Sequence, residues 1–122
     1  MPPDWEMLKG AANEDGEFRL HARFWNADLC FTMGEESTAI RVRDGQIHAI
    51  QSGAGPEPAD LALSAPTSVW EEMLKPIPRP FFHDLLGASA HHGLTMEGNV
   101  THRCSYFPAV RRLVELMRVQ SH

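Results

Sequence analysis

The stretch "ASAHHGLTMEGN", Ala88 to Asn99, sets two adjacent histidines and the carboxylate of Glu97 among glycines. Those residue types can ligate a metal or move protons. Adjacent residues point to opposite faces of a strand, or about 100° apart on a helix, so His91 and His92 are poorly placed to share one ion. His83 does not help: its separation from His91 on a continuous helix is about 12 Å of rise. Two donors each about 2 Å from a zinc must lie within roughly 4 Å of one another. Only tertiary convergence with His102 or an acidic residue would build a metal site. The expectation is therefore no metal, no cofactor, and histidines seated near the negative dipole end of a helix.

His83 and Asp84 could serve as a general acid-base pair if both faced a pocket. On a helix, however, they lie opposite Phe81, Phe82 and Leu85 or at the edge of that face, and no G-x-S-x-G nucleophile accompanies them. A small enzyme using His83, Asp84 or His102 stays as a third reading, and no catalytic residue is assigned. Cys30 and Cys104 belong to no C-x-x-C pair and have no sequence-adjacent activator. They read as buried thiols rather than as a bridge, a redox pair or a zinc site.

The elements that must position these residues emerge from hydrophobic period. "EFRLHARF", Glu17 to Phe24, alternates Phe18, Leu20, Ala22 and Phe24 against Glu17, Arg19, His21 and Arg23, which predicts a strand with one dry face. "DLCFTM" alternates in the same way, "GEES" supplies a turn, and "TAIRVR" opposes Ile40 and Val42 to Arg41 and Arg43. Asp44-Gly45 is a strong hairpin signal, because a type I′ turn needs positive φ at both central positions. "QIHAIQ" then returns antiparallel. A meander of four strands is expected, wet on the arginine face. "SGAGPEPAD", Ser52 to Asp60, reads as a linker; prolines and an extended "DLALS" come after its glycines, where a phosphate cradle would need a helix N-terminus.

In the second half the period becomes helical. "PTSVWEEMLK" puts Val69, Trp70, Met73 and Leu74 on one face, and Ser68 with Glu71 has capping-box spacing. Pro76, Pro78 and Pro80 forbid continuation. "PFFHDLLGASA" repeats the device, with Phe81, Phe82, Leu85 and Leu86 on one face and Pro80 suited to the first helical position. "GLTMEGN" alternates as a short strand, and Asn99 can cap the helix after it. Val110, Leu113, Val114 and Met117 form a last helical stripe from about Pro108 to Val119, with a break at Pro108.

At 122 residues with 43% hydrophobic and 22% charged side chains, the chain reads as one globular domain, residues 1–122. Sixteen acidic against eleven basic side chains give −5, which disfavours phosphate-backbone attraction and so nucleic acid. No apolar run approaches the eighteen or so residues of a bilayer span, and "MPPDWEMLKG" lacks a basic region followed by an apolar one. The default compartment is the cytoplasm. The fold class is α+β, an antiparallel sheet with helices packed on its dry face. Large apolar residues on four inner segments, among them Trp70, Phe81, Phe82, Tyr106 and Phe107, allow a cavity between the layers.

Taken in order, "LALSAPTSVWEEMLKPIPRPFFHDLLGASAHHGLTMEGN" resembles the segment of the sterol carrier protein type 2 family in which a strand precedes two short helices and a glycine-bounded strand. The similarity extends to "EFRLHARFWNADLCFTM", "IRVRDGQI" and "YFPAVRRLVELMR", from Glu17 to Arg118. Asn99 stands where that family more often has an acid. It looks most like divergent bacterial members found alone or beside α/β-hydrolase domains. The resemblance implies a mostly antiparallel sheet of five or six strands covered by helices, enclosing an apolar tunnel for sterols, fatty acids or acyl-CoA. With the inner stripes it implies a non-enzymatic lipid-binding protein. The tunnel would be lined by Leu61, Leu63, Trp70, Met73, Leu74, Phe81, Phe82, Leu85, Leu86, Phe107 and Val110. Leu113, Val114 and Met117 would form its far end and gate. The competing reading is an accessory or dimerisation module, whose partner is a hydrolase or a second copy of the chain.

Overall fold

The structure, a computed structural model, describes residues 3–53, 59–82 and 84–120. It opens on two helices, α1 (Trp5–Glu14) and α2 (Gly16–His21). Periodicity gives no element before Glu17, yet the local chemistry is helical: Asp4 caps α1 by accepting from the Met7 amide at 3.1 Å, and Leu8 and Ala12, one turn apart, are buried.

The expected strand over Glu17 to Phe24 is a helix and a turn instead. Asp15 accepts from the Phe18 amide at 2.7 Å and so caps α2. Phe18 and Ala22, at helical spacing, go inside, while Leu20 and Phe24 stay 60% and 71% exposed. The period-two pattern was satisfied by chance: a strong cap and one helical pair of inward residues outweigh it, as tertiary context often overrides pattern.

Three strands then form an antiparallel meander, β1 (Ala27–Met33), β2 (Glu36–Arg43) and β3 (Gln46–Gly53), rather than the four expected. Asp44 and Gly45 take φ 52° and 76° at the β2–β3 turn, as the Asp-Gly pair requires. A Cβ on Gly45 would lie 2.8 Å from the Ala22 carbonyl oxygen, so glycine is also needed for the hairpin tip to reach the end of α2. The expected linker lies partly outside the described residues, and β4 (Leu61–Ala65) comes after it. Strand β4 lies parallel to β1, with Leu29 opposite Leu61 and Phe31 opposite Leu63. The last strand, β5 (Thr95–Gly98), pairs antiparallel with β4, completing the order β3-β2-β1-β4-β5.

One face of this sheet is dry. Leu29, Phe31, Ile40, Val42, Ile47, Leu61 and Leu63 all belong to the core. On the other face Arg41 and Arg43 both reach Asp28, at 3.3 and 3.2 Å. The dry face is covered by α3 (Thr67–Met73), α4 (Leu85–His91), α5 (Val100–Ser105) and α6 (Phe107–Gln120) together with the first two helices. Trp70 anchors α3: its indole stacks near Phe31 and its Nε1 donates to the Thr32 carbonyl at 2.9 Å. Val110, Leu113, Val114 and Met117 are the buried stripe of α6.

Two capping expectations are corrected. Helix α3 has Pro66 at its N-cap with no side-chain hydrogen bond, so Ser68 and Glu71 form no capping box there. Pro80 does not begin α4. Phe81 takes φ 69°, the chain turns again, and Asp84 caps α4 by accepting from the Leu86 amide at 3.1 Å. Three alternating prolines keep a helix from forming up to this point, and a carboxylate cap is the nearest competent start. Gly87 lets the Phe81 backbone lie on α4, since a Cβ there would sit 3.0 Å from the Phe81 oxygen. Asn99 does cap α5, accepting from the Thr101 amide at 2.8 Å. The expected break near Pro108 falls at Tyr106, which leaves the proline in the first turn of α6 where its missing N–H costs nothing.

Candidate ligand cleft

The adjacent histidines and their neighbours have structural occupations. His91 stacks on Phe81 with centroids 4.0 Å apart, and His92 on Phe82 at 3.6 Å, its Nε2 lying 3.2 Å from the Pro80 oxygen. Both pin the proline elbow to the end of α4. No group of three or more His, Cys, Asp or Glu able to hold a metal occurs among the described residues. Asp84 is the α4 cap, and His83 lies outside the described residues. His102 accepts a 2.8 Å hydrogen bond from Trp25 Nε1, and Tyr106, one turn further on, stacks on the same indole at 4.8 Å. Cys30 and Cys104 are both free thiols, but neither is buried as expected: Cys30 is half-buried on β1 and Cys104 is exposed on α5.

The groups with displaced pKa values also sit at joints of the fold. A side-chain hydrogen bond from Arg112 holds the Asp15 carboxyl below the usual carboxylate range, against the opposing push of burial. The contact is bidentate, Nε to Oδ2 at 3.0 Å and Nη2 to Oδ1 at 2.9 Å, and it ties α6 to the junction of α1 and α2. The same bond raises Arg112. Glu72, buried on α3, is lowered first by the Lys75 ammonium, with the Arg79 backbone amide adding to it. Arg79 Nε also reaches Glu72 at 2.9 Å, so the carboxylate binds both ends of the elbow. Burial lowers Arg118, whose Nε donates to the Met73 carbonyl.

The residues predicted to line a tunnel divide into three groups. Leu61, Leu63, Trp70, Met73, Leu74, Phe82, Leu85, Val110, Leu113, Val114 and Met117 are buried in one continuous cluster joining sheet and helices. Phe81 is 49% exposed on the elbow. Leu86 and Phe107 line an open cleft of about 490 Å³, whose remaining walls are Ser89, Met96, Arg103 and Cys104. Leu86 and Ser89 share a face of α4 by their spacing of three. Met96 points inward from β5 between the exposed Thr95 and Glu97. Arg103, Cys104 and Phe107 come together across the α5–α6 joint. The volume falls within the usual range for small-molecule sites. Ser89, Arg103 and Cys104 carry no apolar pattern, which is why period alone does not find them; the spacing of Cys104 and Arg103 from Phe107 was the available signal. A second concavity of about 350 Å³ lies beside the hairpin tip, lined by Leu20, Phe24, Arg19 and Arg23 among others.

No family model and no curated protein matches the chain. Solved structures do. A crystal structure of sterol carrier protein 2 superposes with a TM-score of 0.73 at 19% identity, over 96% of this chain and 95% of that one. The chain has the sterol carrier protein 2 fold. A conserved hypothetical protein from Thermus thermophilus, described as possibly a sterol carrier protein, superposes with a TM-score of 0.70 at 19% identity, over 92% of this chain and 82% of its own. The stereoselective inverting sec-alkylsulfatase Pisa1 from Pseudomonas sp. matches with a TM-score of 0.54 at 13% identity, over 81% of this chain but only 14% of the sulfatase. The sterol carrier protein 2 fold thus occurs both as nearly a whole chain and as a small part of a larger enzyme. In the present chain this fold places the cleft at the edge of the helical layer, where α4, β5 and the α5–α6 joint meet. No helix among the described residues is long and apolar enough to cross a membrane.

Proposed function

We propose that the protein binds and transfers a hydrophobic ligand, a fatty acid, acyl-CoA or sterol-like lipid, in the cytoplasm and without catalysing a reaction. The observation that carries this reading is the 490 Å³ cleft, walled by Leu86, Met96 and Phe107, on a sterol carrier protein 2 fold. The buried residues of α4 are Leu85 and Ala88, and Leu86, on the face it shares with Ser89, is 59% exposed, which leaves it free to meet a ligand. The chain of a longer ligand would pass from the cleft toward Leu85 and Phe82 by displacement of the proline elbow. That elbow is held by two ring stacks and by Glu72 rather than by continuous secondary structure.

Burying about twelve methylenes releases roughly 10 kcal/mol at 0.8 per group, and even the smallest association cost of roughly 4 kcal/mol leaves about 6 kcal/mol, an affinity on the order of tens of micromolar. That strength suits a carrier that must also release its cargo. Titration with fluorescent acyl and sterol probes tests the reading, with Phe107→Ser as the cleft variant. Saturable binding weakened by Phe107→Ser is expected, and no saturable binding of any probe would remove the proposal. The sulfatase match favours a second reading, in which the domain presents substrate to a hydrolase partner. That reading requires hydrolase turnover of an amphiphilic substrate to rise when this protein is added, and an unchanged rate would exclude it.

A further inference from the structure

The half-buried arginines of the molecule can be compared directly. Arg43 donates to Asp28 and to backbone carbonyls, Arg112 to Asp15 and Glu115, and Arg118 to the Met73 carbonyl. Arg103 alone among them has a side chain with no hydrogen bond, ion pair or ring contact among the described residues, and it lines the ligand cleft. A guanidinium carries five donors in a fixed fork and stays charged at any working pH. In an open cleft its donors are left to solvent, so an anionic head entering beside Leu86, Met96 and Phe107 meets no competing carboxylate among the described residues. Carboxylates are not scarce, since acidic side chains outnumber basic ones sixteen to eleven, yet none among the described residues pairs with this one. Ser89, on the α4 wall of the same cleft, adds a hydroxyl able to donate.

We propose that Arg103 is the head-group anchor of the cleft, with Ser89 assisting, and that the preferred ligand is an amphiphile with one anionic head on an unbranched apolar tail. The anion forms charge-assisted hydrogen bonds to the guanidinium while the tail lies against Leu86, Met96 and Phe107. A neutral lipid of the same tail gains the apolar contacts but leaves Arg103 unpaired. This assignment rests on the cleft being the ligand site.

The test is displacement of a bound fluorescent acyl probe by laurate and dodecyl sulfate, each below its critical micelle concentration, and by dodecanol below its solubility limit, on the full chain and on Arg103→Met and Arg103→Lys. Methionine keeps the unbranched stem and removes the charge. Hydrogen bonds to a charged group should give the wild-type chain about a 10- to 100-fold preference for the anions over dodecanol. Arg103→Met should lose that preference, and Arg103→Lys should keep part of it. Laurate and dodecyl sulfate separate a carboxylate-specific site from one that accepts any single anion, and either result supports the anchor. Equal binding of anions and alcohol by the wild-type chain, or an anion preference that survives Arg103→Met, overturns the anchor while leaving the ligand cleft standing. Failure of all three probes overturns both.

Discussion

Replacing His102 by alanine should lower stability by about 2 kcal/mol, and the magnitude comes from one geometry. Trp25 is 1% exposed and its indole N–H has His102 Nδ1 as acceptor at 2.8 Å. Alanine leaves that donor buried without a partner, which costs about 1–3 kcal/mol. For a domain of this size that is a fall in Tm of roughly 6–10 °C. The Tyr106 stack on the same indole remains, so α5 should loosen at one turn rather than detach. Urea unfolding followed by tryptophan fluorescence measures the loss. A double-mutant cycle with Trp25→Phe isolates it: once the donor is gone, His102→Ala should cost at least about 1 kcal/mol less than in the wild-type background. Because α5 also carries Arg103 and Cys104, His102→Ala should weaken ligand binding as well. A variant within about 0.5 kcal/mol of wild type, with no coupling in the cycle, would refute the reasoning.

Three further outcomes are expected. Asp15→Ala removes both the α2 cap and the bidentate contact with Arg112, and should cost about 2–3 kcal/mol in urea unfolding after allowance for partial solvent exposure. Stability should also depend on acid in a defined direction. Asp15 and Glu72 have folded pKa values below their ordinary ones, so the unfolded chain binds more protons as pH falls through the carboxylate range. Their contribution is fully present above that range and is lost as pH drops through and below it; urea midpoints at stepped pH should show a slope that Asp15→Asn reduces. Gly45→Ala should cost about 1–3 kcal/mol, because alanine resists positive φ and its Cβ would press on the Ala22 carbonyl; an unchanged midpoint would mean that the hairpin tip does not rest on α2.

Where pattern and tertiary demand agree, the fold is legible from residues alone. The β2–β3 hairpin, the strand of Thr95 to Gly98, the Asn99 cap and the α6 stripe are each specified by a local rule that the packing also uses. The α2 region fails for an identifiable reason. Its alternation is compatible with a strand, while the deciding interactions are the Asp15 cap and its pairing with Arg112, 97 residues away in sequence. The α4 start fails because Pro80 suits the first turn of a helix, and only the packing of Phe81 on Gly87 shows the chain still turning there. The cleft was half legible. Leu86 and Phe107 are expected from apolar stripes, whereas most of the same stripe residues are consumed by the core, and hydropathy does not distinguish a wall from a floor.

The central claim is that an apolar ligand enters between α4, β5 and the α5–α6 joint. Backbone and methyl NMR of the isotope-labelled protein titrated with laurate tests it most directly. Saturable shifts centred on Leu86, Ser89, Met96, Arg103, Cys104 and Phe107 are predicted, with smaller ones spreading to Phe82 and Leu85. Shifts centred instead on Leu20 and Phe24 at the second concavity, or no saturable shifts at all, would contradict it.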